Sequence, residues 1–356
     1  MTRLIEILIS LAIVAVLFVV VGVLLPSSRH LSNSVETNRK STIVFDTLNG
    51  VRRFKDWNPA VAGDPNIELK LSGPEAGVGA RIDWNSKEPA LGKGSWEITK
   101  SEPGQSVAYA ITDQERGRNK RSEFTLKPTG RGGRNVEITQ TYDVEYGWNL
   151  LGRYAGMYVS SNTGEKMKAG LARLTNILAA VPNFDYSVLG KDDPSKAPRI
   201  SERPAENLLV LNAAVERNDL VIQNQMKTNI EWIKKNIAAN GLEAVGPVRI
   251  ITNEIGSEIY SFDVAQEVRK PGTTGKLTGI TLSNNVELLY NEPTKIAVVP
   301  FTGHMSNLPQ TRDALRGWAM TRGYETTERA YEIWRGGIDA GFTDQQGQYD
   351  VIWAVK

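Results

Sequence analysis

The sequence predicts an α+β chain: an N-terminal transmembrane helix, an antiparallel sheet domain closed by a long helix, and a C-terminal region made of a duplicated β-α-β-β unit. Three observations carry this expectation. Ile7 to Leu25 is an uncharged apolar run. Between Ile67 and Tyr146 apolar residues recur with a period of two, after which the spacing becomes helical up to Val181. In the C-terminal half, Asn240–Thr252 and Arg322–Trp334 read as copies of one stretch, with Gly241 matching Gly323 and Glu243 matching Glu325.

The chain has 356 residues, more than one ordinary core accommodates, so two folded domains are expected after the apolar run. The net charge is +2 with both signs interspersed, which leaves no clustered basic face for nucleic acid. Cysteine is absent, which excludes disulfides, thiolate metal sites and thiol nucleophiles. His30 and His304 lie far apart and make no histidine-rich metal cage, and no cofactor is expected.

About 20 apolar residues span a bilayer as a helix, so residues 1–26 are expected as an anchor. Leu24-Leu25-Pro26-Ser27-Ser28 offers no small-x-small cleavage site, and an uncleaved single-pass span is favoured. Arg3 on one side competes with Arg29, Arg39 and Lys40 on the other, which leaves the orientation open, the periplasmic side being favoured for the soluble domains. Residues 27–33 are expected as a polar tether. A helix from Ile43 follows, broken at Gly50 and closed at Trp57-Asn58-Pro59, since proline disfavours helix in the preceding residue. The longest alternation is Val136, Ile138, Gln140, Tyr142, Val144 and Tyr146, a strand with one buried face in an antiparallel meander. Met167, Leu171, Leu174, Leu178 and Val181 then step by threes and fours as a closing helix.

The first domain, residues 34–183, resembles the START-like superfamily (SRPBCC) that includes polyketide cyclases and lipid-transfer proteins. The resemblance rests on Val44-Phe45-Asp46-Thr47-Leu48, on Trp57-Asn58-Pro59, on the meander with Gly77-Val78-Gly79-Ala80 and Gly92-Lys93-Gly94-Ser95-Trp96, and on the helix from Glu165 to Val181. It implies a helix-grip fold, with the long helix laid over a hydrophobic cavity. Trp57, Trp84, Trp96, Tyr109 and Tyr142 are the candidates to line that cavity; a packed sheet face accounts for the same residues. Gly147 to Met157, an aromatic and aliphatic segment with three glycines, reads as a loop that gates the cavity or dips into lipid, or as a plain connection packed on the core.

Residues 184–206, with Lys191-Asp192-Asp193-Pro194, read as an interdomain linker. Residues 207–356 hold the duplication: a strand at Leu208–Leu211, a helix with Ile222, Met226, Ile230, Ile233 and Ile237 on one face, then a strand at Ile296–Val299 and a helix with Leu315, Trp318 and Ala319. Pro271 to Asn285 connects the halves. This region resembles the gyrase-inhibitor-like effector-binding domain found on multidrug-sensing activators, on the repeated unit, Ala297–His304, Arg329–Trp334 and the terminal strand Tyr349–Val355. No helix-turn-helix head precedes it, so DNA binding is not carried over. The resemblance implies that Glu332 projects into a cleft between the repeats among aromatic rings, with Tyr331, Trp334 and Trp318 as companions. A carboxylate there would favour a hydrophobic cation, each ring adding about 0.5–2 kcal/mol. Glu332 on the solvent face of an edge strand is the plain alternative. His304 is either a general base near Glu332 or a loop residue at a helix start.

Taken together, the expected function is membrane-anchored, non-catalytic binding or sensing of hydrophobic, lipid-like or cationic small molecules. The alternative is a hydrolase or cyclase of a hydrophobic natural product, with Glu332 as general base and Tyr331 as proton donor. A structural role with vestigial cavities is the third reading.

Overall fold

A computed structural model describes residues 2–89, 91–343 and 345–356. The described residues divide into two units, 1–181 and 182–356.

Unit 1 begins with α1 (Thr2–Leu24), of which Arg3–Leu24 is exposed almost throughout and is long and apolar enough to cross a membrane. Its length is about 35 Å, against a hydrocarbon core of about 30 Å. Strand β1 (Ser28–Thr37) follows after three residues and pairs along its whole length with β7 (Asn135–Glu145). Residues 28–33, expected as a tether, are therefore an edge strand. The physical reason is that Arg29, Leu31, Asn33, Val35 and Thr37 face inward while Ser28, His30, Ser32, Ser34 and Glu36 face out, an alternation too polar to read as a strand.

Next come α2 (Ser41–Leu48), α3 (Phe54–Trp57) and α4 (Pro59–Ala62), with Gly50 between the first two and Asn58 in an extended conformation before Pro59. The meander continues with β2 (Glu68–Ser72), β3 (Arg81–Asn85), β4 (Lys93–Glu102), β5 (Ser106–Thr112) and β6 (Arg118–Thr129) before β7. Among the described residues these make a seven-stranded antiparallel sheet in the order β1-β7-β6-β5-β4-β3-β2. Then α5 (Leu150–Ala155), one turn of 3₁₀ helix (Gly156–Tyr158) and α6 (Val159–Ala180) close the unit. Met167, Leu171, Leu174 and Leu178 of α6 are buried, which is the helix-over-sheet arrangement of a helix-grip fold.

The segment Gly147 to Met157, expected as a loop or a plain connection, is thus partly helical. Asn149 caps α5 by accepting the Gly152 N–H at 3.0 Å. Gly152 and Gly156 sit against the Tyr146 ring, where an added Cβ would fall 2.9 and 2.7 Å from ring carbons. Those glycines are close-approach residues rather than hinges.

In unit 2, β8 (Arg199–Arg203) opens a sheet that has eight strands among the described residues, so part of the expected linker is an edge strand paired with β13 (Thr294–Thr302). Between them run β9 (Glu206–Glu216), α7 (Asp219–Ala239), β10 (Glu243–Ile255), β11 (Ile259–Arg269) and β12 (Glu287–Asn291). After β13 come α8 (Leu308–Thr321), β14 (Tyr331–Trp334), α9 (Gly337–Thr343) and β15 (Gln348–Val355). The order β12-β9-β11-β10-β14-β15-β13-β8 places the strand-helix-strand-strand run β9-α7-β10-β11 beside β13-α8-β14-β15, joined at β10 and β14. Gly241 and Gly323, matched in sequence, both take positive φ (60° and 81°) directly after their helices, the conformation of a helix C′ glycine.

The connection from 271 to 285 has little regular structure, and three asparagines stitch it down. Asn207 accepts the Leu277 N–H and donates to the Gly275 carbonyl, Asn236 accepts the Ser283 N–H, and Asn240 exchanges two bonds with Thr281. The face of the sheet toward α7, α8 and α9 carries the main core, including Ile250, Phe262, Val264, Trp334 and Val351. The opposite face carries Tyr331, Ile352, Ile296 and Val298 in one small cluster and Leu208, Val210 and Ala265 in another.

Candidate functional site

In unit 1 the interior is filled by aromatic rings in edge-to-face and tilted contact. Phe54, Trp57 and Phe124 pack at 5.2–5.4 Å between centroids, Trp96 lies 5.0 Å from Phe54, and Tyr109 lies 5.2 Å from Trp96. Such pairs contribute about 0.5–1.5 kcal/mol each beyond the area they bury. What space remains is a pocket of about 80 Å³ under α6, lined by Trp57, Trp84, Trp96, Tyr142 and Met167 among others. That is well below the roughly 300–1,000 Å³ of drug-sized ligand sites. A larger guest therefore requires an aromatic ring or α6 to move outward.

Of the five expected cavity residues, Trp57, Trp84, Trp96 and Tyr142 line this pocket, and Tyr109 does not. Tyr109 is fully buried, and its hydroxyl donates to the Leu48 carbonyl. Burial alone raises its phenol pKa, so it is a neutral packing residue. Tyr142 is raised first by burial and further by the nearby Asp113 and Glu115 carboxylates. Trp84 packs against Gly94, where a Cβ would come 2.2 Å from the indole. The indole N–H groups of Trp57 and Trp84 are buried without an acceptor among the described residues.

Two charges edge the pocket. Lys166 of α6 and Glu115 of the turn after β5 both line it, are about half exposed, and meet at 3.5 Å. In the neighbouring basic stretch, Arg116 to Arg121, Lys120 is buried and ion-paired with Asp113.

In unit 2 the expected companions of Glu332 do not share one cavity. Successive β14 residues point to opposite faces, so Glu332 and Trp334 turn toward the helices while Tyr331 turns away. Glu332 is 1% exposed, and its Oε1 lies 2.9 Å from Arg312 Nε of α8. Burial pushes its carboxyl up to about 7 against the opposing pull of Arg312. The two facing atoms have no aligned hydrogen bond. Tyr260, also on β11's helix-facing side, exchanges a hydroxyl bond with Thr252 at 3.0 Å; burial raises its pKa. Trp334 packs on Tyr349 and Phe342, and Trp318 stacks with the Arg322 guanidinium at 4.5 Å.

Tyr331 instead lines a cleft of about 450 Å³ with Arg203, Arg249, Leu208, Ile251 and Leu289. Sequence reasoning singled out none of these arginines, because their partners are distant in the chain. Arg249 is held at 2.7 Å by both Glu206 and Glu267 and lies 5.3 Å over the Tyr331 ring. Arg203 reaches Glu328 at 3.1 Å. Burial raises the Tyr331 phenol, opposed by Arg249 and Arg203. A cleft lined by guanidiniums already matched to carboxylates favours an apolar guest with a hydrogen-bond acceptor over a cation. His304 sits at the start of a one-turn helix, where its Nδ1 accepts the Ser306 N–H. Among the described residues, no three His, Asp or Glu side chains are grouped to hold a metal ion.

Residues 28–179 match the family model described as "Polyketide cyclase / dehydrase and lipid transport". No curated protein matches the chain. Similar solved structures include the C-terminal domain of EcmrR, at 16% identity over 45% of this chain and 96% of that one (TM-score 0.36). Truncated norcoclaurine synthase from Thalictrum flavum is 9% identical over 43% of this chain and 94% of its own (TM-score 0.36). The Aha1 dimer from Colwellia psychrerythraea is 13% identical over 43% and 97% (TM-score 0.30).

Proposed function

We propose that the chain binds small hydrophobic molecules at a membrane surface, with α1 as an uncleaved single-pass anchor and unit 1 as the principal binding module. The observation that carries this reading is the aromatic pocket under α6, which lies within the stretch matching a family of cyclases and lipid-transport proteins. The preferred guest has an apolar body and one hydrogen-bond acceptor. An acceptor reaching the unpartnered Trp57 or Trp84 indole N–H would relieve roughly 1–3 kcal/mol of unmet hydrogen bonding.

Unit 2 is read as an effector-binding module of the gyrase-inhibitor-like kind, with its guest in the cleft at Tyr331, Arg249 and Arg203. Its duplicated strand-helix-strand-strand order supports that reading. Glu332 would take part in cation binding only after Arg312 swings away.

The test is equilibrium binding of an apolar fluorescent probe to the full chain in lipid nanodiscs, comparing wild type with Met167→Trp. The larger ring fills the small pocket, so probe affinity is expected to fall sharply. Unchanged affinity would place binding elsewhere and refute the unit 1 reading.

A second reading is favoured by the complete burial of Glu332, which pushes its carboxyl up to about 7. A general base is most effective when its pKa lies near the working pH. Hydrolysis that is abolished in Glu332→Gln, with the fold intact, would establish that reading.

A further inference from the structure

We infer that the segment from Trp148 to Tyr158, built around α5, is a foot that rests in the headgroup layer of the bilayer and is locked to the end of α1. This rests on the reading of α1 as a membrane span and adds a second contact that fixes how unit 1 meets the lipid.

The lock is specific. Arg153 is only 7% exposed, and its Nη1 donates to three carbonyls at the end of α1: Gly22 at 3.3 Å, Val23 at 2.7 Å and Leu25 at 3.1 Å. These are carbonyls that a helix terminus leaves without intrahelical partners, and a cation there also complements the helix dipole. The Arg153 Nε donates to the Gly147 carbonyl at 2.8 Å, which ties the same guanidinium to the start of the segment. One turn along, the Tyr154 ring stacks on Phe18 at 4.6 Å, and its hydroxyl donates to the Phe18 carbonyl at 2.8 Å. Gly22 makes the approach possible, since a Cβ there would lie 3.2 Å from Tyr154 and 3.3 Å from Leu150. With three residues between α1 and β1, and Tyr146 and Gly147 both bonding the Ser27 carbonyl, little freedom remains at the junction.

The lock sets α5 beside residues 18–24 of α1 and the Leu25 that follows, just before the chain enters the sheet. The roughly 35 Å helix exceeds a hydrocarbon core of about 30 Å by about 5 Å, so its last turn, the one Arg153 clamps, reaches the interfacial layer. There the segment presents Trp148, 80% exposed, together with exposed Leu151, Met157 and Tyr158. Large apolar side chains displayed around tryptophan and tyrosine at that level are the composition of an interfacial belt, in which each ring keeps a polar tip toward water. Continuity with the apolar surface of α1 identifies the occupant as lipid.

Because the chain has no cysteine, single-cysteine variants report without background. The full chain is placed in nanodiscs of mixed zwitterionic and anionic lipid. Nitroxides are attached at Leu151→Cys and Tyr158→Cys, at Ile13→Cys in α1, and at Lys168→Cys, a solvated α6 position. Accessibility to oxygen and to a water-soluble nickel chelate is then compared. The expected result is Ile13 deep in the core, Lys168 aqueous, and positions 151 and 158 between them, with oxygen access raised and nickel access reduced severalfold relative to 168. If 151 and 158 match 168 while Ile13 is deep, the foot is overturned and the anchor stands. If Ile13 is aqueous, the anchor reading itself fails. Shielding at 151 and 158 that persists in detergent but disappears on dilution would identify a second copy as the occupant and overturn the lipid assignment. In Arg153→Gln and Gly22→Leu backgrounds the label at 151 should lose its intermediate depth with Ile13 unchanged. Unaltered depth in both would refute the lock.

Discussion

Glu332 Oε1 and Arg312 Nε stand 2.9 Å apart inside unit 2, a buried ion pair between the short central strand β14 and α8. Its energetics set the first expectation. Burial raises the Glu332 carboxyl to about 7 when folded, against an ordinary glutamate value of 4.5. Between those values the folded state holds a proton that the unfolded state has lost, so stability falls as pH rises toward 7 and is flat above it. The contribution is on the order of 3 kcal/mol. Hydrogen exchange of the β14 amides should therefore show protection decreasing from pH 5 to 7.5 in wild type. Glu332→Gln, which mimics the protonated form, should remove that component; an identical slope in both would contradict the assignment.

Arg249 presents the opposite case, a guanidinium satisfied by Glu206 and Glu267 on one wall of a cleft. Removing it by Arg249→Met leaves Glu206 buried with weaker partners. The expected loss is about 3–5 kcal/mol in the unfolding of unit 2. Glu267→Gln, at the more exposed partner, should cost far less, and denaturant titration compares the two.

Met167 of α6 forms part of the roof of the unit 1 pocket. Met167→Ala should destabilise unit 1 by about 2–5 kcal/mol, since truncation adds a cavity to the lost burial. The same change should raise affinity for compact apolar guests, read by calorimetry.

Lys166 and Glu115 edge the same pocket from opposite elements. Half-exposed pairs contribute about 0–1 kcal/mol, so Lys166→Ala should leave stability nearly unchanged. If the pair restricts entry, association of an apolar probe should be faster in the variant, as stopped-flow fluorescence would show.

Much of the architecture was legible where the chain obeys a simple period. The apolar run became α1, the alternation from Val136 to Tyr146 became β7, and the spacing from Met167 to Leu178 became the buried face of α6. Features that depend on distant partners were not legible. β1 is polar and is a strand only because β7 offers it a full ladder of bonds. α5 contains Gly152, a poor helix former, and is held by the Tyr146 ring and the Arg153 clamp rather than by propensity. In the candidate site, four of the five aromatic positions proposed for unit 1 do surround one pocket. Glu332, Tyr331 and Trp334 do not share one cavity, because Tyr331, next to Glu332 on β14, faces the opposite side of the sheet. The arginine cleft around Tyr331 escaped notice because Arg203, Arg249 and Glu328 meet only through the sheet.

The central claim is that unit 1 holds a small hydrophobic molecule in the Trp57, Trp84, Trp96 and Tyr142 pocket. Native mass spectrometry of the full chain, extracted gently from its own host, addresses it most directly. The expected spectrum carries a bound apolar molecule that is absent from Met167→Trp prepared in the same way. An unliganded wild type, or an adduct retained equally by the filled-pocket variant, would contradict the account.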